Sequence, residues 1–271
     1  MGPTDLALGR AGRAPTPGRR AREPHPRVSA RRRAVSKELG RRRLVVLCAL
    51  AVLATLAAIA WPLAHSHYFS ARVIVVRGAL ETPVSEVLAA AGLGTHPAMI
   101  DVHPGAAAHS IEALPWVLRA TVALDWPDGV RITLSERTAV CAVAHGGGWA
   151  EVDRTGRVLA DVATPPPGLV RATLVGATPA PGRWVAAGSG PALAAAAALP
   201  PVLAPQVAMI EAAPGGTVDL GLVDGVRVVL GPATQLGAKF EDVAAIEAGA
   251  RPRAGSVMDV SVPQSPTVSA G

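Results

Sequence analysis

The sequence predicts an α+β protein: a single transmembrane helix, then a small module with one sheet and helices on one face, then a mixed β region with flanking helices. Three observations lead there. The run from Leu44 to Ala64 carries no charged residue. Residues 72–137 read as strand, helix, helix, strand, strand. Beyond Arg137 the texture changes to short β-branched runs cut by glycine and proline.

The apolar run, LVVLCALAVLATLAAIAWPLA, covers about 31 Å at about 1.5 Å per residue, the depth of a bilayer's hydrocarbon core. Ahead of it, residues 1–43 hold thirteen Lys and Arg against Asp5, Glu23 and Glu38, a net charge of +10, while the remainder of the chain sums to −4. The basic balance of the whole therefore belongs to this tail. Rich in Arg, Pro, Gly and Ala and without apolar periodicity, the tail is expected to be disordered. Nucleic-acid binding is not the reading it supports, because Arg41, Arg42 and Arg43 abut the apolar run and Arg31, Arg32, Arg33 and Lys37 lie close behind. That is the pattern that sets membrane orientation and keeps the N-terminus in the cytoplasm. Trp61, Tyr68 and Phe69 then fall at the far interface. Ala58-Ile59-Ala60 has the small-x-small form of a cleavage site, but a lead this long and an apolar run this extended favour an anchor over a signal peptide. Cys48 lies in the span and Cys141 far beyond it, so no intrachain disulfide, redox pair or zinc pattern is expected.

The outer part begins with RVIVVR (Arg72 to Arg77), a strand closed by Gly78. Thr82 as N-cap and Pro83 at the first helical position open a helix whose face is Val84, Val87, Leu88 and Ala91, with Gly92 past its end. A second helix buries Ala107, Ile111 and Leu114 and stops before Pro115. Trp116 to Asp125 and VRITLSE form two strands about the turn Trp126-Pro127-Asp128-Gly129. In the β region, Trp149 to Val152 and Arg157 to Val162 flank a turn on Asp153 and Gly156. Strands are expected at Leu169 to Val175, Val207 to Glu211, Thr217 to Leu220 and Val226 to Leu230. Helices are expected at Pro191 to Leu203, Ala-rich and broken at Pro200-Pro201, and on the stripe Leu236, Phe240, Val243, Ile246.

No constellation in the chain points to catalysis. Gly146 to Gly148 has no following Lys-Ser/Thr, and Gly188-Ser189-Gly190 lacks a third glycine. His96, His103 and His109 are spaced seven and six apart, which fits no helical metal pair. Asp125 and Asp128 flank a turn, where Asp serves local hydrogen bonds. Glu136 and Arg137 either contact a partner or cap a strand end and bridge domains. No cofactor is implied.

The closing stretch SVMDVSVPQSP (Ser256 to Pro266) reads as an alternating strand, with Met258, Val260 and Val262 on one face, Asp259 and Ser261 on the other, and Pro263 as its stop. An uncovered edge of this kind is a template for another chain. Its expected use is strand addition by a partner, with Met258, Asp259, Val260, Ser261, Val262 and Gln264 as partner-binding residues. The alternative is a strand flanked on both sides from within. Val73 to Val76 and Val130 to Leu134 are further candidate edges.

Taken together, RVIVVRGAL, the segment ALPWVLRATVALDWPDGVRITLSER, the hairpin WAEVDRTGRVL and the closing VMDVSVP resemble, in their order, the FtsQ/DivIB family of bacterial cell-division proteins. The resemblance covers nearly the whole chain. It implies a disordered basic cytoplasmic tail at 1–43, a transmembrane helix at 44–64, a POTRA domain at 71–138, a β domain at 139–263 and a flexible C-terminal tail at 264–271. It further implies a non-enzymatic bitopic scaffold of the division septum, single-pass with the C-terminal domains outside, whose partners are divisome proteins such as FtsB and FtsL. The sequence departs from the family at Ala139, where proline usually follows closely on Glu-Arg, and in having no aromatic residue from Val257 to Gly271. A POTRA protein serving secretion or outer-membrane transport and a cell-wall-active enzyme are the alternatives from other classes.

Overall fold

The computed structural model describes residues 26–213, 215–250, 252–263 and 265–270, with side chains from residue 41 onward apart from that of His67. Helix α1 runs from Pro26 to Ala64. Its segment Arg41–Ala64 contains an 18-residue window of mean hydropathy 2.7 and is long and apolar enough to cross a membrane. The helix thus starts well ahead of Leu44, and residues 26–43 are helical where the sequence predicts disorder. Residues 1–25 of that predicted tail lie outside the described residues. The physical reason is propagation: Ala, Arg, Lys, Leu and Glu all favour helix, and extending a formed helix avoids the cost of nucleation.

From Leu63 onward the chain forms a second compact unit. Its first lobe contains β1 (Val73–Arg77), α2 (Val84–Ala90), α3 (Pro104–Glu112), β2 (Val117–Asp125) and β3 (Gly129–Glu136). The sheet order is β1-β3-β2, with β1 parallel and β2 antiparallel to β3. Val130, Ile132 and Leu134 of β3 and Val117, Ala120 and Val122 of β2 face Val87, Met99, Ala107 and Ile111 in one core. Val130 to Leu134 is therefore not an edge, because β3 is the central strand. Alternation gives β3 a buried face, but it cannot say which strands flank it. Val73 to Val76 does lie on an edge strand. The helix after Pro83 has no side-chain cap. Instead the Glu136 carboxylate accepts the backbone N–H groups of Leu80, Glu81 and Thr82 at 3.0, 2.9 and 2.9 Å.

The second lobe contributes β4 (Ala139–His145), β5 (Gly148–Asp153), β6 (Val158–Val162), β7 (Val170–Thr173), α4 (Gly190–Ala198), β8 (Val207–Ala213), β9 (Thr217–Leu222), β10 (Arg227–Pro232), α5 (Leu236–Gly249), β11 (Val257–Asp259) and β12 (Thr267–Ser269). Among the described residues these strands form one nine-stranded sheet in the order β12-β11-β10-β9-β8-β7-β4-β5-β6. Ala192, Leu193, Ala195 and Ala196 of α4 and Phe240 and Val243 of α5 bury its apolar face. Strand β4, which the sequence does not announce, lies inside the sheet between β5 and β7. Its small residues Cys141, Ala142 and Val143 are buried, and burial and the nearby Asp153 push the Cys141 thiol up to about 12.

Two arginines join the lobes. Arg137, at the end of the first lobe, donates from Nη1 to Asp153 Oδ2 at 2.7 Å and from Nε to the Val117 carbonyl at 3.1 Å. The ion pair is nearly dry, with side-chain exposures of 11% and 3%. Asp153 Oδ1 also accepts the hydroxyl and N–H of Thr155 and the N–H of Arg157, so the carboxylate that folds its own hairpin turn also holds the neighbouring lobe. Arg157 reaches the other way: Nη2 donates to the carbonyls of Ala113 and Leu114 at 2.7 and 3.1 Å, just past α3, where the helix dipole favours a cation. Its guanidinium lies 4.8 Å from the centre of the Trp184 ring.

This geometry sets the cost of two substitutions. Gly78 has φ +82°, and a Cβ there would lie 2.2 Å from the Leu134 carbonyl oxygen, so Gly78→Ala is expected to destabilise the second unit by about 3 kcal/mol, read by chemical denaturation. For Asp153, burial disfavours the charge, but the bonds from Thr155, Arg137 and Arg157 outweigh it and hold the carboxyl below its ordinary range. A depressed folded value contributes stability that is present above the unfolded pKa of about 3.9 and lost as pH falls through the folded one. Asp153→Asn should therefore cost about 3 kcal/mol near neutrality, and the gap from the parent protein should narrow as pH drops from about 5 toward about 3.

Candidate functional site

The closing strand is where sequence and structure part. Strand β11 pairs in parallel with β10 on one side, Val228 opposite Met258, and antiparallel with β12 on the other, Met258 opposite Val268. The expected open edge at Val257–Asp259 is therefore already covered from within. Pro263 and Pro266 do not prevent this, because both fall in the connection and only Thr267, Val268 and Ser269 need to pair. The strand is also shorter than its alternation suggests. The N–H of Ser261 donates to Asp259 Oδ1 at 2.9 Å, an Asx-type turn that bends the chain out of the sheet. That hydrogen bond, with the Ser261 hydroxyl, lowers the pKa of Asp259.

The predicted partner-binding residues separate accordingly. Met258 and Val260 are wholly buried in the core. The N–H of Val260 donates to the Val229 carbonyl of β10 at 3.0 Å, so it faces inward and is not available to another chain. Asp259 and Ser261 are half-buried, while Val262, expected beside Met258, is 62% exposed in the turn. Gln264 lies outside the described residues. Arg41, Arg42 and Arg43 are exposed on α1.

The edge itself is β12. Val257 and Asp259 face it across the ladder, so Thr267 and Ser269 turn inward and Val268 presents its N–H and C=O outward. All three residues of β12 are exposed, and among the described residues nothing pairs with its outer side. Beneath it the support is rigid. A bulge in β10 between Val229 and Gly231 leaves Leu230 out of register with β9. Lys239, 1% exposed, donates from Nζ to the carbonyls of Leu230 and Pro232 at 2.8 and 2.7 Å. Burial pushes its pKa down, opposed by Asp259. The sequence signal for Lys239 was present, since it lies on the helical stripe with Leu236, Phe240 and Val243.

Elsewhere the residues weighed for chemistry have local employment. His96 and His103 each donate from Nδ1 at 2.7 Å, to the carbonyls of Ala71 and Asp101. Asp125 pairs with Arg131 at 2.6 Å on the turn it flanks. Among the described residues no group of three His, Cys, Asp or Glu side chains is placed to hold a metal ion. Glu136 and Arg137 take the intramolecular roles described above, which bridge the lobes and cap a loop.

Two family models match the chain in succession: POTRA domain, FtsQ-type, at residues 69–137, and Cell division protein FtsQ/DivIB, C-terminal, at residues 141–260. Cell division protein FtsQ of Mycobacteroides abscessus is 31% identical over 236 residues, covering 86% of this chain and 73% of that protein. Its counterpart in Mycolicibacterium smegmatis is 32% identical over 203 residues, 73% of this chain and 57% of that protein. That of Streptomyces griseus is 32% identical over 164 residues, 59% of this chain and 76% of that protein. The chain thus spans 73% of the first relative and little more than half of the second. A solved extracytoplasmic domain of DivIB from Geobacillus stearothermophilus overlays with a TM-score of 0.32 at 19% identity, covering 42% of this chain and 93% of that one, a likeness too distant to bear on the assignment. Two consecutive domain matches and relatives aligned across both establish that the chain belongs to the FtsQ/DivIB family of bacterial cell division proteins.

Proposed function

We propose that this protein is a non-enzymatic bitopic scaffold of the division septum. Its N-terminus lies in the cytoplasm, its lobes lie outside, and a partner's β-strand adds to the sheet edge at β12. Orientation follows from Arg41, Arg42 and Arg43 at the cytoplasmic mouth of the apolar helix. Family membership supports partners among the divisome proteins, with FtsB and FtsL as the specific candidates. The observation that carries the docking mode is the outer side of β12, where Val268 offers a backbone donor and acceptor that no described residue of the chain takes up.

The chemistry of the edge sets its strength. With no aromatic residue from Val257 onward, affinity comes from main-chain hydrogen bonds and from the exposed side chains of Val262 and Val268 rather than from a large aromatic anchor. Met258 and Val260 support the edge from below, and Asp259 and Ser261 fix the turn that delivers β12 to it. The scaffold reading is supported by family membership and by the intramolecular employment of Glu136, Arg137 and Asp153.

Replacing Val260 by proline does not test this mode, because its N–H serves the fold. Val268→Pro removes the outward donor while leaving the bonds of Thr267 and Ser269 to β11 in place. It is expected to weaken capture of FtsB and FtsL from membranes at least tenfold with the melting midpoint unchanged. Capture that persists at full strength would place the partner elsewhere.

A further inference from the structure

Between the lobes lies a cleft of about 910 Å³, walled by Leu80, Trp116, Pro166, Pro167 and Leu169. Its floor holds Glu151, on β5, with Glu81 at the rim. Glu151 is only 5% exposed, and among the described residues no hydrogen bond or ion pair reaches its carboxylate. Ala150 and Val152, its neighbours on the strand, point into the core on the other face of the sheet, so alternation turns Glu151 toward the cleft.

The cations near this cleft are already committed. Arg137 lines it, but its guanidinium is bound to Asp153, Thr155 and the Val117 carbonyl. Arg157 is bound to the carbonyls of Ala113 and Leu114. Glu136, also on the wall, is satisfied by the three backbone N–H groups of residues 80–82. What remains is a carboxylate on a largely buried residue, without a protein partner among the described residues and with its oxygens open to the cleft, and a second carboxylate, Glu81, close enough to act on it. Burial first, and the Glu81 charge second, raise the pKa of Glu151.

We propose that the cleft receives the basic side chain, Lys or Arg, of an extended segment of a partner protein, with Glu151 as the buried counter-ion and Glu81 as the outer one. The walls fit the aliphatic stem of such a side chain: Leu80, Leu169 and the two prolines supply apolar contact, and Trp116 an aromatic surface. The site is separate from β12, and the failure of either leaves the other standing.

The test uses the full chain in lipid nanodiscs, titrated calorimetrically with acetyl-Leu-Arg-Leu-amide and with its citrulline counterpart, which keeps the shape and removes the charge. The arginine peptide is expected to bind at least tenfold tighter than the citrulline peptide, and Glu151→Gln to abolish that preference. Because the variant removes an unpartnered buried charge, its melting midpoint should equal or exceed that of the parent chain. Equal binding of the two peptides, no binding of the arginine peptide at millimolar concentration, an arginine preference that survives Glu151→Gln, or a lowered midpoint would each overturn the proposal. Methylguanidinium binding as tightly as the peptide would reassign the cleft to a small cation and overturn it as well.

Discussion

The second unit depends on the Asp153 carboxylate. One of its oxygens closes the β5–β6 hairpin by accepting Thr155 and the Arg157 N–H, and the other holds Arg137 from the preceding lobe. Local turn and long-range junction therefore share one side chain and cannot be loosened separately. The pair is held because both carboxylate oxygens and the Nε and Nη1 of Arg137 are hydrogen-bonded. A buried charge so satisfied adds specificity more than strength, and removing either partner strands the other. Arg157, positioned by the same turn, then fixes the second contact to the end of α3. The result is a cleft of defined width whose walls come from both lobes.

The large sheet manages its two ends differently. At the β6 end the chain covers the start of the edge, with the Val158 N–H donating to the Arg183 carbonyl and the Gly182 N–H to the Val158 carbonyl. At the other end the covering strand is only three residues long and exposed throughout. A short edge limits indiscriminate aggregation while leaving main-chain groups accessible. Firm support under a thin outer strand suits a docking edge. The Lys239 ammonium holds the β10 bulge, Met258 and Val260 are locked in the core, and the outer side of β12 is left unpaired among the described residues.

Most elements were legible because their signals are local. The apolar run, the alternation in β2 and β3, the Asp153 and Gly156 turn and the Leu236–Ile246 stripe each need only a few neighbouring residues to be recognised. Misreadings arose where distant chain decided. Thr82 is not the cap of α2: Pro83 holds the N-cap position, and the Thr82 N–H, with those of Leu80 and Glu81, is bound to Glu136, fifty-odd positions away. Strand β4 has too many small residues to stand out, and is a strand because it lies between β5 and β7. Strand β12 is too short for any pattern, and its existence depends on the turn at Asp259 and Ser261 returning the chain to β11.

By itself the sequence determined the membrane helix, the order of strands and helices, the buried faces and the family, since hydrophobic period and motif order are properties of the chain read in line. The tertiary structure decided which strand is the edge, which charges are spent internally and which carboxylate is left without a partner. Those depend on pairing and burial between residues far apart in sequence. Alternation marks the face of a strand, but only its neighbours in space determine whether its hydrogen bonds remain open.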